Sequence, residues 1–108
     1  MDSRSAAGFD ARVIAVDRVA TSYPVRGVLE NVGGGGIALL SERGFAKRGH
    51  LTVAFKLPGD EQPSEVVVEV VATEKLVTRE SVSHCRFVTI SPEALRAVNE
   101  WTEARGSI

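Results

Sequence analysis

The sequence predicts a mainly β domain, a six-stranded antiparallel barrel that ends in one α-helix. Short runs rich in β-branched residues are separated by turn-forming residues, a pattern typical of antiparallel strands. Residues 51–57 alternate apolar and polar side chains, as a half-buried strand does. Ser91, Pro92 and Glu93 then supply an N-cap, a first-turn proline and an acidic first turn for a helix. Closure into a barrel is expected because it manages the sheet edges.

The individual strands are predicted from β-branched or alternating runs that lie between turns. Residues 1–10 mix small and polar side chains without periodicity, so we predict a flexible N-terminal arm there and a barrel domain over residues 11–106. Proline and glycine within residues 58–63 have the chemistry of a turn. Strands are expected at residues 12–16, 23–31, 36–40, 51–57, 66–73 and 83–90.

The predicted helix carries its apolar side chains on one face. Leu95, Val98 and Trp101 recur at three-residue steps, and Gly106 is a suitable stop. This face is predicted to dock on the barrel and to shelter the Trp101 indole. The strand and helix spacings predict a common core that contains Val53, Phe55, Phe87 and Leu95.

Composition restricts the classes of protein to consider. The chain has 108 residues, 44% of them hydrophobic, which suits a single domain. Its net charge of −1 argues against a protein that binds nucleic acid polymers. Its single cysteine, Cys85, excludes an internal disulfide and a cysteine-based zinc site. The longest apolar run, residues 66–72, is interrupted by Glu69 and is too short for a membrane span. We expect a cytoplasmic protein without membrane insertion.

Catalytic chemistry has little support in the sequence. His50 and His84 are the only histidines, and neither belongs to an HExxH motif, a GxSxG motif or an acidic metal cluster. His84 is predicted to be a strand residue on the face opposite Cys85 and Phe87. We therefore predict that the protein is not an enzyme and has no catalytic residue, metal site or cofactor.

Four consecutive glycines, residues 33–36, interrupt two predicted strands. They do not match a phosphate-binding P-loop, because Ile37 and Ala38 follow where lysine and serine or threonine are needed. They also lack the strand and helix context of a GxGxxG dinucleotide motif. A tight connection between strands and a binding surface both remain as interpretations.

Two segments resemble the PilZ family. Residues 31–37 (NVGGGGI) are similar to its [D/N]xSxxG element, and residues 85–95 (CRFVTISPEAL) resemble its closing strand and helix. The resemblance implies a six-stranded barrel with a C-terminal helix, and commonly the binding of cyclic di-GMP. It also implies ligand contacts by Asn31, Gly33 and Gly36, with Gly33 where the family has serine.

The family's other ligand element, RxxxR, is only half present. The resemblance assigns Arg12 to its second arginine, but Gly8 stands at the first. A glycine can neither bind a phosphate through paired hydrogen bonds nor stack on guanine, so the affinity for cyclic di-GMP is expected to be reduced.

The resemblance implies a non-catalytic signalling module of the bacterial cyclic di-GMP network, which binds cyclic di-GMP and relays the signal to a protein partner. An alternative is a ligand-free adaptor that acts only through protein contacts. A third interpretation, an unrelated barrel that binds single-stranded nucleic acid, is the least favoured, because the chain has only four phenylalanines, one tyrosine and one tryptophan for stacking.

Overall fold

The computed structural model describes residues 5–16, 19–57 and 59–106, with side chains at Val13 and at residues 25–57 and 59–103. This part of the chain contains six strands and one helix. They are β1 (Ser5–Val16), β2 (Val19–Gly33), β3 (Gly36–Ser41), β4 (His50–Phe55), β5 (Ser64–Lys75), β6 (Ser81–Thr89) and α1 (Pro92–Gly106).

The strands close into a barrel in the order β1-β2-β3-β6-β5-β4, and every neighbouring pair is antiparallel. Closure is made by β1, in which Val13 lies opposite both Val25 of β2 and Val53 of β4. The connection between β3 and β4 crosses from one side of the barrel to the other, since β3 pairs with β2 and β6. The predicted fold class is confirmed.

Strand boundaries differ most from the prediction at the N-terminus. β1 begins at Ser5 rather than at Arg12, because Ser5 and Ala6 already pair with Val32 and Asn31 of β2. Backbone pairing adds this segment to the sheet although its side chains show no strand periodicity. Residues 1–4 of the predicted arm lie outside the described residues.

The core contains the predicted strand residues and a different helix residue. Val53 and Phe55 are buried, and Phe87 packs against the core while partly exposed. Leu95 is only half-buried, whereas Val98 is fully buried. Positions 94, 98 and 101 define the contact face of α1, and position 95 lies about 90° around the helix from its centre. Trp101 packs against the core, as predicted.

The N-terminus of α1 has the predicted cap. The backbone N–H of Ala94 donates to Ser91 Oγ at 3.1 Å, and the Leu95 N–H donates to the Ser91 carbonyl at 2.9 Å. The helix then packs against β1 and β2 near the connection from β2 to β3. Among the described residues, no helix is both long enough and apolar enough to cross a membrane.

Candidate ligand-binding site

The four glycines form a tight hairpin between β2 and β3. Gly33 and Gly36 are the last pair of the ladder, and Gly34 and Gly35 are the two residues of the turn. The Gly35 carbonyl accepts a hydrogen bond of 3.0 Å from the Phe87 N–H, which ties the turn to β6. The interpretation of residues 33–36 as a tight connection is confirmed.

The close approach of the β6 backbone explains why position 36 is a glycine. A Cβ added there would collide with the carbonyl oxygen of Cys85 and would lie 2.9 Å from the Arg86 Cα. Turn residue Gly35 has open space around the same position, while a Cβ at Gly34 would meet Asn99 Oδ1 of α1 at 2.9 Å. The hairpin is therefore packed tightly against β6 on one side and lies next to α1 on the other.

The hairpin adjoins an outer face of the barrel that has small residues at its centre. Ile37, Leu39 and Cys85 belong to the core, so the alternating residues of β3 and β6 lie on the outer face. Ala38 is opposite Asn31 on β2 and His84 on β6, and Gly36 is opposite Arg86. We call this set the β3 outer surface, formed by Asn31, Gly33, Gly36, Ala38, His84 and Arg86.

The β3 outer surface combines a small-residue floor with polar neighbours. Ala38 has no exposed area although it lies on the outer face, and Asn31 and His84 beside it are half-buried. Glycine at positions 33 and 36 leaves backbone without side chains next to them. Because Gly33, Gly36 and Ala38 are all buried, the groups that this surface presents to a ligand are the polar side chains of Asn31, His84 and Arg86.

Arg86 has a defined position beside this floor. Its Nε donates to Glu69 Oε1 of β5 at 2.6 Å, and its side chain is 58% exposed. The other carboxylate oxygen of Glu69 lies 4.0 Å from His50 Nε2. The bond to Glu69 orients the guanidinium and uses one of its five N–H donors.

Arg12 does not lie with the other predicted site residues. It is opposite Arg26 of β2 and Ala54 of β4, and Arg26 is five residues along β2 from Asn31. At about 3.3 Å per residue the separation is about 16 Å. Gly8 falls in an irregular stretch of β1, between Ala6, which is opposite Asn31, and Phe9, which is opposite Leu29.

A different cleft of about 380 Å³ lies between the turn from β4 to β5 and the first turns of α1. Asp60, Glu61, Glu65 and Glu93 line it, so its charge disfavours an anionic ligand. The described residues contain no group of three or more histidine, cysteine, aspartate or glutamate side chains placed to hold a metal ion.

The comparison with protein families supplies the deciding observation: the model of the PilZ domain matches residues 3–104. This chain belongs to the PilZ domain family. PilZ domains are generally ligand-binding or adaptor modules, and the match indicates no enzymatic family. No curated protein sequence matches the chain.

Two solved structures share the PilZ fold with this chain. The inhibitor of motility MotI/DgrA of Bacillus subtilis superposes with a TM-score of 0.80 at 18% identity, over 95% of this chain and 49% of that one. The PilZ domain of YcgR from Escherichia coli, solved with c-di-GMP, has a TM-score of 0.68 at 12% identity, over 95% of this chain and 88% of that one. The chain spans about half the length of MotI/DgrA.

Sequence reasoning about this PilZ domain missed two residues of the β3 outer surface, His84 and Arg86. Alternation with Cys85 predicted that His84 lies on the opposite face of the strand, and this placement is correct. It did not show that β6 pairs with β3, a strand more than forty residues earlier in the chain. Only that register brings Arg86 beside Gly36 and His84 beside Ala38.

Proposed function

We propose that this PilZ domain is a non-catalytic signalling module that binds cyclic di-GMP on the β3 outer surface and relays binding to a protein partner. The observation that carries the proposal is the grouping of Asn31, Gly33 and Gly36 at one hairpin on the outer face of the barrel. The YcgR PilZ domain, which has the same fold, was solved with this ligand.

The chemistry of the surface suits such a ligand. Cyclic di-GMP has two anionic phosphodiesters and two planar guanines with several hydrogen-bonding groups. The Asn31 side chain offers both a donor and an acceptor, and the exposed turn glycines, Gly34 and Gly35, permit close approach to their backbone groups. A network of hydrogen bonds to polar base edges is the contribution that we assign to this part of the site.

Arg12 enters the proposal as a second, more distant anion contact. Its backbone is paired in register with Arg26, whose side chain is exposed. Both residue types carry a positive charge, which would attract a phosphate to this part of the sheet. We propose that Arg12 contributes to ligand attraction but does not share a contact with Asn31.

Relay to a partner is proposed to pass through α1. The turn residue Gly34 lies against Asn99 of this helix, and Trp101, two residues later, packs on the core. A ligand that orders or shifts the hairpin would change the position that Asn99 can adopt, and so the exposed face of α1. Binding and partner recognition would then be coupled through one contact.

Titration with cyclic di-GMP tests the proposal, followed by calorimetry and by the chemical shifts of backbone amides. We expect saturable shifts at Asn31 and at residues 33–36, with smaller shifts in α1. Residues 76–80, at the opposite end of β6, are the internal control. Shifts restricted to that control segment, or none at millimolar ligand, would contradict binding at the β3 outer surface.

The second candidate is an adaptor that contacts proteins without a ligand. Glycine at positions 8 and 33 favours it, because both positions carry a contacting side chain in the motifs that the family uses. The same titration separates the candidates: a spectrum that does not change with cyclic di-GMP supports the adaptor. Saturable binding excludes it as the sole function.

A further inference from the structure

We infer that Arg86 of β6 supplies a phosphate contact for the ligand at the glycine hairpin, and that Glu69 weakens this contact by competing for the same guanidinium. The inference rests on the proposed function. It assigns the arginine chemistry that Gly8 cannot provide to a residue outside the N-terminal motif. It also predicts opposite effects on binding for the two partners of one ion pair.

The pairing of β6 with β3 and the exposure of its side chain place Arg86 where it can contact a phosphate. It lies directly opposite Gly36, so no side chain from β3 separates it from the hairpin backbone. Its side chain is 58% exposed, and the hydrogen bond to Glu69 involves Nε. The two terminal nitrogens of the guanidinium are the pair best suited to grip phosphate oxygens.

Glu69 has two opposing effects at this position. Its hydrogen bond orients the arginine, but its negative charge lies 2.6 Å from the Arg86 Nε and offsets the positive charge that a phosphate would meet. His50, at 4.0 Å on the far side of Glu69, is the other ionisable group of the cluster. Because the Arg86 side chain is mostly exposed, the ion pair itself contributes little to stability.

The experiment compares Arg86→Gln and Glu69→Gln by calorimetric titration with cyclic di-GMP in buffer of about 0.1 M ionic strength. Both variants break the same ion pair, so a purely structural role predicts similar, small changes in thermal stability and in binding. We expect Arg86→Gln to weaken binding about tenfold, and Glu69→Gln to strengthen it severalfold, because a competing carboxylate is removed. Arg86→Lys should retain part of the affinity, since it keeps the charge but not the paired donors.

Matched controls lie close to the same strands but away from the hairpin. Arg79→Gln, in the turn before β6, and Glu74→Gln, on β5, make the same charge changes at exposed positions. Neither should shift the affinity by more than about twofold, because exposed charges beyond about 10 Å are largely screened. Thermal unfolding of all five variants verifies that each remains folded.

The outcomes separate this inference from the proposed function. Wild-type binding that neither variant alters, or that both variants weaken equally, overturns the role of Arg86 and leaves cyclic di-GMP binding standing. Absence of binding by the wild type overturns both. A loss in Arg86→Gln together with a gain in Glu69→Gln supports the inference, since an effect on folding would move both variants in the same direction.

Discussion

At the scale of single residues, the glycines of the hairpin have different roles. Gly36 is required by the backbone of β6, which passes too close for any side chain. Gly35 is exposed, and a Cβ there would have no neighbour within 4 Å. A run that looks uniform in the sequence thus contains one position that cannot change and one that can.

Replacement by alanine is predicted to have very different effects on stability at Gly36 and at Gly35. Gly36→Ala should lower the free energy of unfolding by about 1–3 kcal/mol or more, because the clash is with backbone atoms that cannot rotate away. Gly35→Ala should change it by less than about 0.5 kcal/mol. Urea denaturation of both variants gives the comparison. Equal effects would mean that β3 and β6 do not approach as closely as the structure indicates.

At the scale of elements, the pairing of β1 with β2 decides which N-terminal residues adjoin the hairpin. Ala6 is opposite Asn31, and Arg12 lies much farther along the barrel. Gly8 is in the irregular stretch that follows Ala6, so position 8 is nearer to Asn31 than Arg12 is. Position 8 is therefore the position of the RxxxR element that adjoins the hairpin, and Arg12 is not.

An arginine introduced at position 8 of β1 should strengthen the binding of cyclic di-GMP. We expect Gly8→Arg to raise the affinity more than Gly33→Ser does, because arginine adds a bidentate phosphate donor and a stacking plane, whereas serine adds one hydroxyl. Gly33 is also buried in the last pair of the hairpin, which limits the space for a side chain. Calorimetry on the wild type, both single variants and the double variant provides the measurement. A double variant that binds no better than wild type would refute the alignment.

At the scale of the whole molecule, the barrel and α1 share one hydrophobic core. Val98 of the helix is buried in the same cluster as Val13, Leu39 and Val53 from three strands, and Trp101 packs against that cluster. The helix cannot leave its position without exposing core residues of the barrel. The domain is therefore expected to unfold as one cooperative unit.

Two probes of unfolding should consequently report the same transition. Trp101 fluorescence follows the docking of α1, and the far-UV circular dichroism signal is dominated by the barrel strands. We expect blue-shifted emission in the folded protein and coincident midpoints for both signals in a urea titration. If fluorescence changes at lower urea than the dichroism, the helix undocks separately, and the single shared core is contradicted.

Local patterns of residues were enough to predict several elements of the fold. Alternation over residues 51–57 predicted a strand with Val53 and Phe55 in the core, and Ser91, Pro92 and Glu93 predicted the start of α1. The motif at residues 31–37 also led to the correct family, because a motif is a local pattern of residues. Its interpretation as a tight connection needed only the conformational properties of glycine.

The way in which distant segments meet is visible only in the folded barrel. Ser5 and Ala6 joined a strand because β2 offered unpaired backbone groups, and no pattern in their own side chains predicts that. Arg12 was separated from Asn31, and Arg86 was brought to Gly36, by the registers of β1 with β2 and of β3 with β6. A register depends on hydrogen bonds and packing between residues far apart in the chain, so local periodicity does not specify it. A one-residue slip would reverse which side chains face outward from the barrel.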